Sequence, residues 1–277
     1  MLFNILSLTS FLTILKVKHQ FSKTFPLKSP KLSGKLRAPP QTKHYSLIGT
    51  AFDYLLRFHV ERLNPDALTN DWVAELGVEL TQSKPEIYEK LTKTIDVIKK
   101  GPYADFLKTG RLSESLVAGT IILAKLDLIV RIGRLEPNIL DYQDEDVLDL
   151  RNLISIVDDS LFKSKNFCSL NPEFGHGSFL VGGADADLII DDTLIDIKTT
   201  KNLKFEREYY NQLIGYYILS KIGHVDGLNN KIKKVGIYFS RHGIFYSIPV
   251  SQIEENPQFN SFVKWFEDEA KSVNPEN

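Results

Sequence analysis

Residues 182–198 read GGADADLIIDDTLIDIK. Two short Ile/Leu-rich runs flank Asp191-Asp192 and follow Gly182-Gly183, which is the grammar of a β-hairpin. The acid content is unusual: Asp185, Asp187 and Asp196 stand where a plain hairpin carries Thr or Lys, and Lys198 closes the second strand. Side chains alternate across a strand, so Asp185, Asp187 and Ile189 share one face, opposite Ala184, Ala186, Leu188 and Ile190. On the return strand Leu194, Asp196, Lys198 and Thr200 lie opposite Ile195 and Ile197. With Asp191-Asp192 as a two-residue turn, Ile190 faces Thr193, Asp187 faces Asp196, and Asp185 faces Lys198. Like charges opposed on a sheet are destabilising, and shielding from water drives one carboxyl pKa upward. A divalent cation removes that repulsion, and carboxylates are the ligands Mg²⁺ prefers. An amphipathic hairpin with a wet acidic face also suits these residues, provided that face is open to solvent.

Outward from the hairpin, the pattern is helical on its N-terminal side. SLIGTAFDYLLRFHVERLN spaces Leu47, Phe52, Leu55, Leu56, Val60 and Leu63 for a helix that Pro65 closes. PEIYEKLTKTIDVIKKG repeats the period, LSESLVAGTIILAKLDLIVRIGRL predicts a long, nearly apolar central helix, and EDVLDLRNLISIVDDSLF adds another. From Cys168 the stretch NPEFGHGSFLVGGADADLII reads as β-rich, with His176 in a loop. LKFEREYYNQLIGYYILSKI returns to helix, KKVGIYFSRHGIFYSIPV predicts a second hairpin turning at Arg241 to Gly243, and PQFNSFVKWFEDEAK closes the chain as an amphipathic helix. The order predicts an α/β (α+β) protein. Residues 1–45 form a basic arm with a short helix; residues 46–277 form one domain, mainly helical over 46–165, with the hairpin–helix core at 166–250 and a closing helix at 251–277.

Bulk properties set limits. The chain has 277 residues, 43% apolar and 25% charged, with net charge −1, so any nucleic-acid surface must be local rather than global. Such a local excess exists: residues 1–45 carry eight Lys/Arg (Lys16, Lys18, Lys23, Lys28, Lys31, Lys35, Arg37 and Lys43) and no acid before Asp53. This arm is suited to phosphates or to an acidic face of its own domain. Cys168 stands alone, which excludes an intrachain disulfide and makes a reducing, cytoplasmic location the expectation. The opening MLFNILSLTSFLTIL lacks a basic residue before its apolar run and a small-residue cleavage site, and is too short to span a bilayer. A short helix packed on the body is expected there, and no membrane partner.

Asp187 followed by Asp196-Ile197-Lys198 at the end of the next strand resembles the core motif of the PD-(D/E)XK nuclease superfamily. Gly182-Gly183-Ala184-Asp185 is similar to the GxxD version of its RecB-like branch, and Gln212-Leu213-Ile214-Gly215-Tyr216 to that branch's QxxxY signature. Gly49-Thr50-Ala51-Phe52-Asp53-Tyr54-Leu55-Leu56 resembles the upstream GTxxHxxL motif, with Asp53 in the histidine position. No Pro precedes the first acid. GxxD spacing selects Asp185 as that acid, whereas cross-strand geometry selects Asp187; Asp187 is taken, with Asp185 a same-face neighbour able to help ligate metal.

The resemblance implies a restriction-endonuclease-like core, a central mixed sheet flanked by helices. It implies a Mg²⁺- or Mn²⁺-dependent deoxyribonuclease, exo or endo unresolved, in which Asp187, Asp196 and the Ile197 carbonyl hold the ion with Asp185 and Asp53 nearby. Lys198 would orient or help deprotonate water, and Gln212 and Tyr216 would serve the lysine or the substrate. Arg207, Lys201 and Lys204 are candidates for backbone phosphates; Tyr209, Tyr210 and Tyr217 suit base stacking or the core. A nuclease scaffold kept for binding nucleic acid or protein, with cleavage lost, is the alternative.

Overall fold

A computed structural model of the chain describes residues 7–228 and 231–274. The first six residues of the apolar opening lie outside them. Six strands form one mixed sheet in chain order: β1 (Leu68–Thr69), β2 (Cys168–Leu170), β3 (Leu188–Ile190), β4 (Thr193–Lys198), β5 (Lys234–Phe239) and β6 (Ile244–Pro249). β1/β2 and β4/β5 pair parallel, and β2/β3, β3/β4 and β5/β6 antiparallel. The helices are α1 (Leu8–Thr13), α2 (Leu15–Thr24), α3 (Tyr45–Leu63), α4 (Val73–Glu79), α5 (Pro85–Ile98), α6 (Ala104–Thr109), α7 (Glu114–Ile132), α8 (Asp144–Ser155), α9 (His176–Leu180), α10 (Arg207–Ile222), α11 (Ser251–Glu254) and α12 (Phe259–Val273). The chain is mixed α/β, as the alternation of periods predicts. Parallel β4 and β5 require a crossover, and α10 supplies it.

The sheet is buried on both faces. Ile189, Leu194, Ile237 and Phe239 pack against α1, α2, α9, α10 and α12. Leu188, Ile190, Ile195, Ile197 and Tyr238 pack against α3, α7 and α8. A third apolar cluster joins α3 and α7 to α4, α5 and α6, away from the sheet. The central helix α7 begins at Ser113, whose side chain accepts the Leu116 N–H, and stops at Gly133 in the left-handed conformation.

The N-terminal segment forms two helices rather than one short one, and they belong to the core. Phe11 and Phe21 are fully buried, edge-on to Phe266 and Phe262 at 5.2 and 4.9 Å. Lys16 pairs with Glu269. The Pro-containing remainder of the basic arm is tied down as well: the Arg37 and Ala38 N–H groups donate to the Arg241 carbonyl, each at 2.9 Å. Among the described residues no helix is long and apolar enough to cross a membrane.

Three local expectations are corrected. GHGSFL forms the short helix α9 rather than strand, and His176 opens it. The alternation across 184–190 breaks: Ala184 and Ala186 join the same cluster as Ile189, because regular β3 starts at Leu188. Asp185 therefore does not face Lys198; it forms an isolated antiparallel bridge with Glu173. β1, two residues long, was invisible within the helical half because its pairing partner lies a hundred positions downstream.

Candidate active site

The β3–β4 ladder runs Ile190–Thr193, Ile189–Leu194 and Leu188–Ile195, the register of a two-residue turn. The pairing stops there, one residue short of the expected Asp187–Asp196 pair. Not every acid of the hairpin points here. Asp191, at φ 53°, accepts the backbone N–H groups of Asn166 at 2.7 Å and Phe167 at 3.2 Å, and Asp192 pairs with Lys233 at 3.2 Å. Those two carboxylates fasten the turn.

The ladder ends where the chemistry begins. Beyond Leu188–Ile195 the Ile197 N–H has no strand partner, and it donates to Asp187 Oδ2 at 2.5 Å. N–H and C=O of one strand residue point to the same side, so the Ile197 carbonyl faces the same gap. Asp196 and Lys198 leave β4 on the α10 side with Leu194. Lys198 Nζ lies 2.8 Å from Asp196 Oδ2 and donates to Gln212 Oε1 at 2.9 Å. Gln212 Nε2 donates to the Tyr216 hydroxyl at 2.9 Å, one turn along α10, and the Tyr216 ring stacks on Phe174. The chain Lys198–Gln212–Tyr216 fixes the amide's orientation, since only the oxygen can accept from the ammonium.

These groups share one cleft of about 380 Å³. Asp53, Asp185, Asp187, Asp196, Ile197, Lys198, Gln212 and Tyr216 all line it. α3 forms one wall, α10 another, and the start of α1 a third, held where the Leu8 N–H donates to the Gly183 carbonyl at 3.0 Å. Gly183 has φ 131°, which L side chains rarely adopt, so the Gly-Gly pair is a backbone requirement of this corner. The acidic face is thus covered, not wet: Asp196 is 2% exposed. Asp53 and Asp187 are half-buried, and Asp185 is exposed at the mouth.

Burial and crowding shape the ionisation. Burial, then the charges of Asp53 and Asp196, push the Asp187 carboxyl well above its ordinary range. Burial raises Asp196 against the pull of Lys198, and raises Asp53 against the pull of Arg57. Desolvation by the cleft walls pushes Asp185 upward too, but its contact with water weakens that push. For Lys198 burial favours the neutral amine, yet Asp196 and Asp187 outweigh it and hold the ammonium above its usual pKa.

Asp53 Oδ1 is buried without a hydrogen bond, whereas the buried Asp196 Oδ2 meets the Lys198 ammonium as an ion pair. The acids do not close into a preformed cage: among the described residues no three His, Cys, Asp or Glu side chains form a metal-binding group.

Sequence reasoning missed the support behind Asp53. Arg57 donates to Asp53 Oδ2 at 2.7 Å and lies 4.5 Å over the Tyr54 ring. The Tyr54 hydroxyl donates to Asp127 Oδ2 at 3.3 Å, and Arg131, on the cleft wall, holds Asp127 Oδ1 at 2.5 Å. The available signal was Asp127 and Arg131 at i, i+4 inside the otherwise apolar run of α7. Compared with family models, with curated proteins and with solved structures, the chain matches none of them.

Proposed function

We propose that this chain is a metal-dependent nuclease that hydrolyses phosphodiester bonds of DNA, built on a restriction-endonuclease-like core. The observation that carries the reading is the convergence of Asp187, Asp196, Lys198 and Gln212 in one cleft with Asp53, whose buried Oδ1 has no hydrogen-bond donor. A buried polar atom without a partner is rare, and here it belongs to one of four carboxylates, hard oxygen ligands in excess over nearby cations. The donor set fits Mg²⁺ or Mn²⁺, which Asp53, Asp187, Asp196 and the Ile197 carbonyl would hold, with Asp185 at the mouth. Such an ion supplies Lewis acidity toward a phosphodiester oxygen and acidifies a bound water.

The side chains divide the remaining work. Lys198, paired with Asp196, would place a fixed positive charge on the developing phosphorane and orient or help deprotonate the attacking water. Gln212 and Tyr216 are positioning residues that aim the ammonium. Arg57 keeps Asp53 turned into the cleft.

A second reading, a nuclease scaffold that binds nucleic acid or protein without cutting, is favoured by one observation: no three acids are preassembled, since Asp187 is engaged by the Ile197 N–H and Asp53 by Arg57. The two separate by assaying plasmid and linear single- and double-stranded DNA with Mg²⁺ and Mn²⁺, beside Asp196→Ala and Lys198→Ala. The nuclease reading expects cleavage that chelation abolishes and that falls by about 10²–10⁴-fold in each variant. Equal background in all three proteins with both metals would leave the binding module.

A further inference from the structure

A phosphodiester is an anion, and the walls of the cleft carry the carboxyl groups of Asp53, Asp185, Asp187 and Asp196. Two cations line the same space, Lys198 and Arg131, and they are not equivalent. The Lys198 ammonium is 2.8 Å from Asp196 Oδ2 and donates to Gln212 Oε1 at 2.9 Å, and its side chain is 21% exposed. The Arg131 side chain is 63% exposed. It commits a single atom: Nε donates to Asp127 Oδ1 at 2.5 Å. Its two terminal amino groups have no hydrogen-bond partner among the described residues.

The other end of that contact is built into the fold. Asp127 is buried, one turn before Arg131 on α7. Its second oxygen accepts the Tyr54 hydroxyl at 3.3 Å, and that hydroxyl accepts the Ala74 N–H of α4 at 3.1 Å. Tyr54 is fully buried and adjoins Asp53 on α3. In an exposed i, i+4 pair both partners stand in water and contribute little; here the acid is inside and the arginine tip is out. Burial disfavours the Arg131 charge, but Asp127, followed by Asp185 and Asp53, outweighs it, so the tip stands among the acids of the mouth. A carboxylate on Nε fixes the plane of a guanidinium and leaves the end-on pair of donors, whose spacing matches two oxygens of a phosphate.

We propose that Arg131 is a phosphate clamp: its terminal amino groups receive the non-bridging oxygens of a substrate phosphate at the cleft mouth, and Asp127, backed by Tyr54, is the positioning residue that aims them. This rests on the nuclease reading of the cleft, and adds to it a residue that holds the strand rather than cuts it. Asp196 and Lys198 are buried where Arg131 is exposed, so the clamped phosphate is a neighbour of the one being cut. Such a contact is the same before and during the reaction, and its loss raises KM while leaving kcat nearly unchanged.

The test uses the full chain with magnesium and two variants: Arg131→Gln removes the charge, and Arg131→Lys keeps an ion pair with Asp127 but loses the fork. Circular dichroism establishes folding, and Arg131→Lys carries the test if stranding Asp127 unfolds the glutamine variant. We expect KM for DNA to rise about tenfold in Arg131→Gln and about threefold in Arg131→Lys, with kcat within about twofold. A single methylphosphonate is then scanned along the DNA. At one position beside the cleaved bond it should weaken binding to the unsubstituted chain about tenfold and leave the variants unaffected. Unchanged KM in the folded variants, or equal methylphosphonate penalties at every position, overturns the clamp. A binding arm separates this failure from that of the nuclease reading: anisotropy of fluorescein-labelled DNA, single- and double-stranded, on the Asp196→Asn chain with and without the Arg131 substitutions. Cleavage with unchanged KM in the variants removes the clamp alone. Arg131-dependent DNA binding, with no cleavage by the unsubstituted chain, removes the nuclease reading alone.

Discussion

Two of the places where the protein buries charge solve the problem in opposite ways. Arg241 and Asp149 are 1% and 0% exposed as side chains and meet as a bidentate pair at 2.7 and 3.1 Å. Their remaining capacity is also used: Arg241 donates to the Ala38 carbonyl at 3.1 Å, and Asp149 accepts the Gln41 N–H at 3.2 Å. One cation, one anion and a ring of backbone partners close the account, and the pair pins the former basic arm to α8 and the β5–β6 turn. In the cleft four carboxyl groups meet Lys198 and Arg131 on its walls and Arg57 behind Asp53, and Arg131 is already committed to Asp127. Asp53 Oδ1 remains without a donor there. Burial of charge is common to both regions; only the second is left unbalanced, and imbalance is what points to a ligand.

Variants that cross the two regions should separate stability from chemistry. The largest expected effect is on rate: Asp196→Asn removes at least about 10²-fold of cleavage while the cation-free protein folds as well as before or better. Its counterpart, Arg241→Ala, strands Asp149 in the interior and costs about 3–5 kcal/mol in denaturant unfolding, with kcat of the folded fraction retained. If both variants lost stability alike, the contrast between the regions would collapse.

Next in size is a gain. Asp187→Asn keeps an acceptor for the Ile197 N–H but removes a charge that Asp53 and Asp196 repel. It should stabilise the cation-free chain by on the order of 1 kcal/mol, roughly 2–4 °C in Tm, and abolish magnesium uptake measured by calorimetry. The pH dependence follows from the sign of the displacement. Carboxyls whose folded pKa is raised bind more protons folded than unfolded between the two values, so their contribution favours folding at low pH and is lost as pH rises through the raised pKa. Thermal melts of the cation-free chain between about pH 5 and 8 should therefore show the advantage of Asp187→Asn growing with pH. Millimolar magnesium should cancel that growth, and its affinity should rise with pH, because the ion displaces protons. The smallest effect belongs to Gln212→Ala, about tenfold in kcat with little change in Tm; a lowered Tm with unaltered kcat would make Gln212 structural.

How much of this was readable in advance depends on sequence separation. The helices α3, α7, α10 and α12, both hairpins and the β3–β4 register follow from local periodicity, because a strand alternates every two residues and a two-residue turn leaves a single pairing. Gln212 and Tyr216 on one helical face follow from i, i+4 spacing. The face of Asp185 did not, because Gly182-Gly183 and the Glu173 bridge interrupt the strand before alternation is established. The fate of residues 1–45 followed only in part: a helix packed on the body was expected of the opening, but not the second helix or the seating of Phe11, Phe21 and Phe25 on α12.

The chain by itself therefore determined which chemical groups lie together within a hairpin or a helix, since a few covalent bonds and one period relate them. Tertiary structure alone decided that Asp53, more than a hundred residues away, shares a cleft with Asp187 and Asp196, that Arg57 stands behind it and Arg131 on the wall, and that the start of α1 closes one side. Those distances are set by how whole helices pack on both faces of a sheet, and packing sums many weak contacts that no short stretch of sequence encodes.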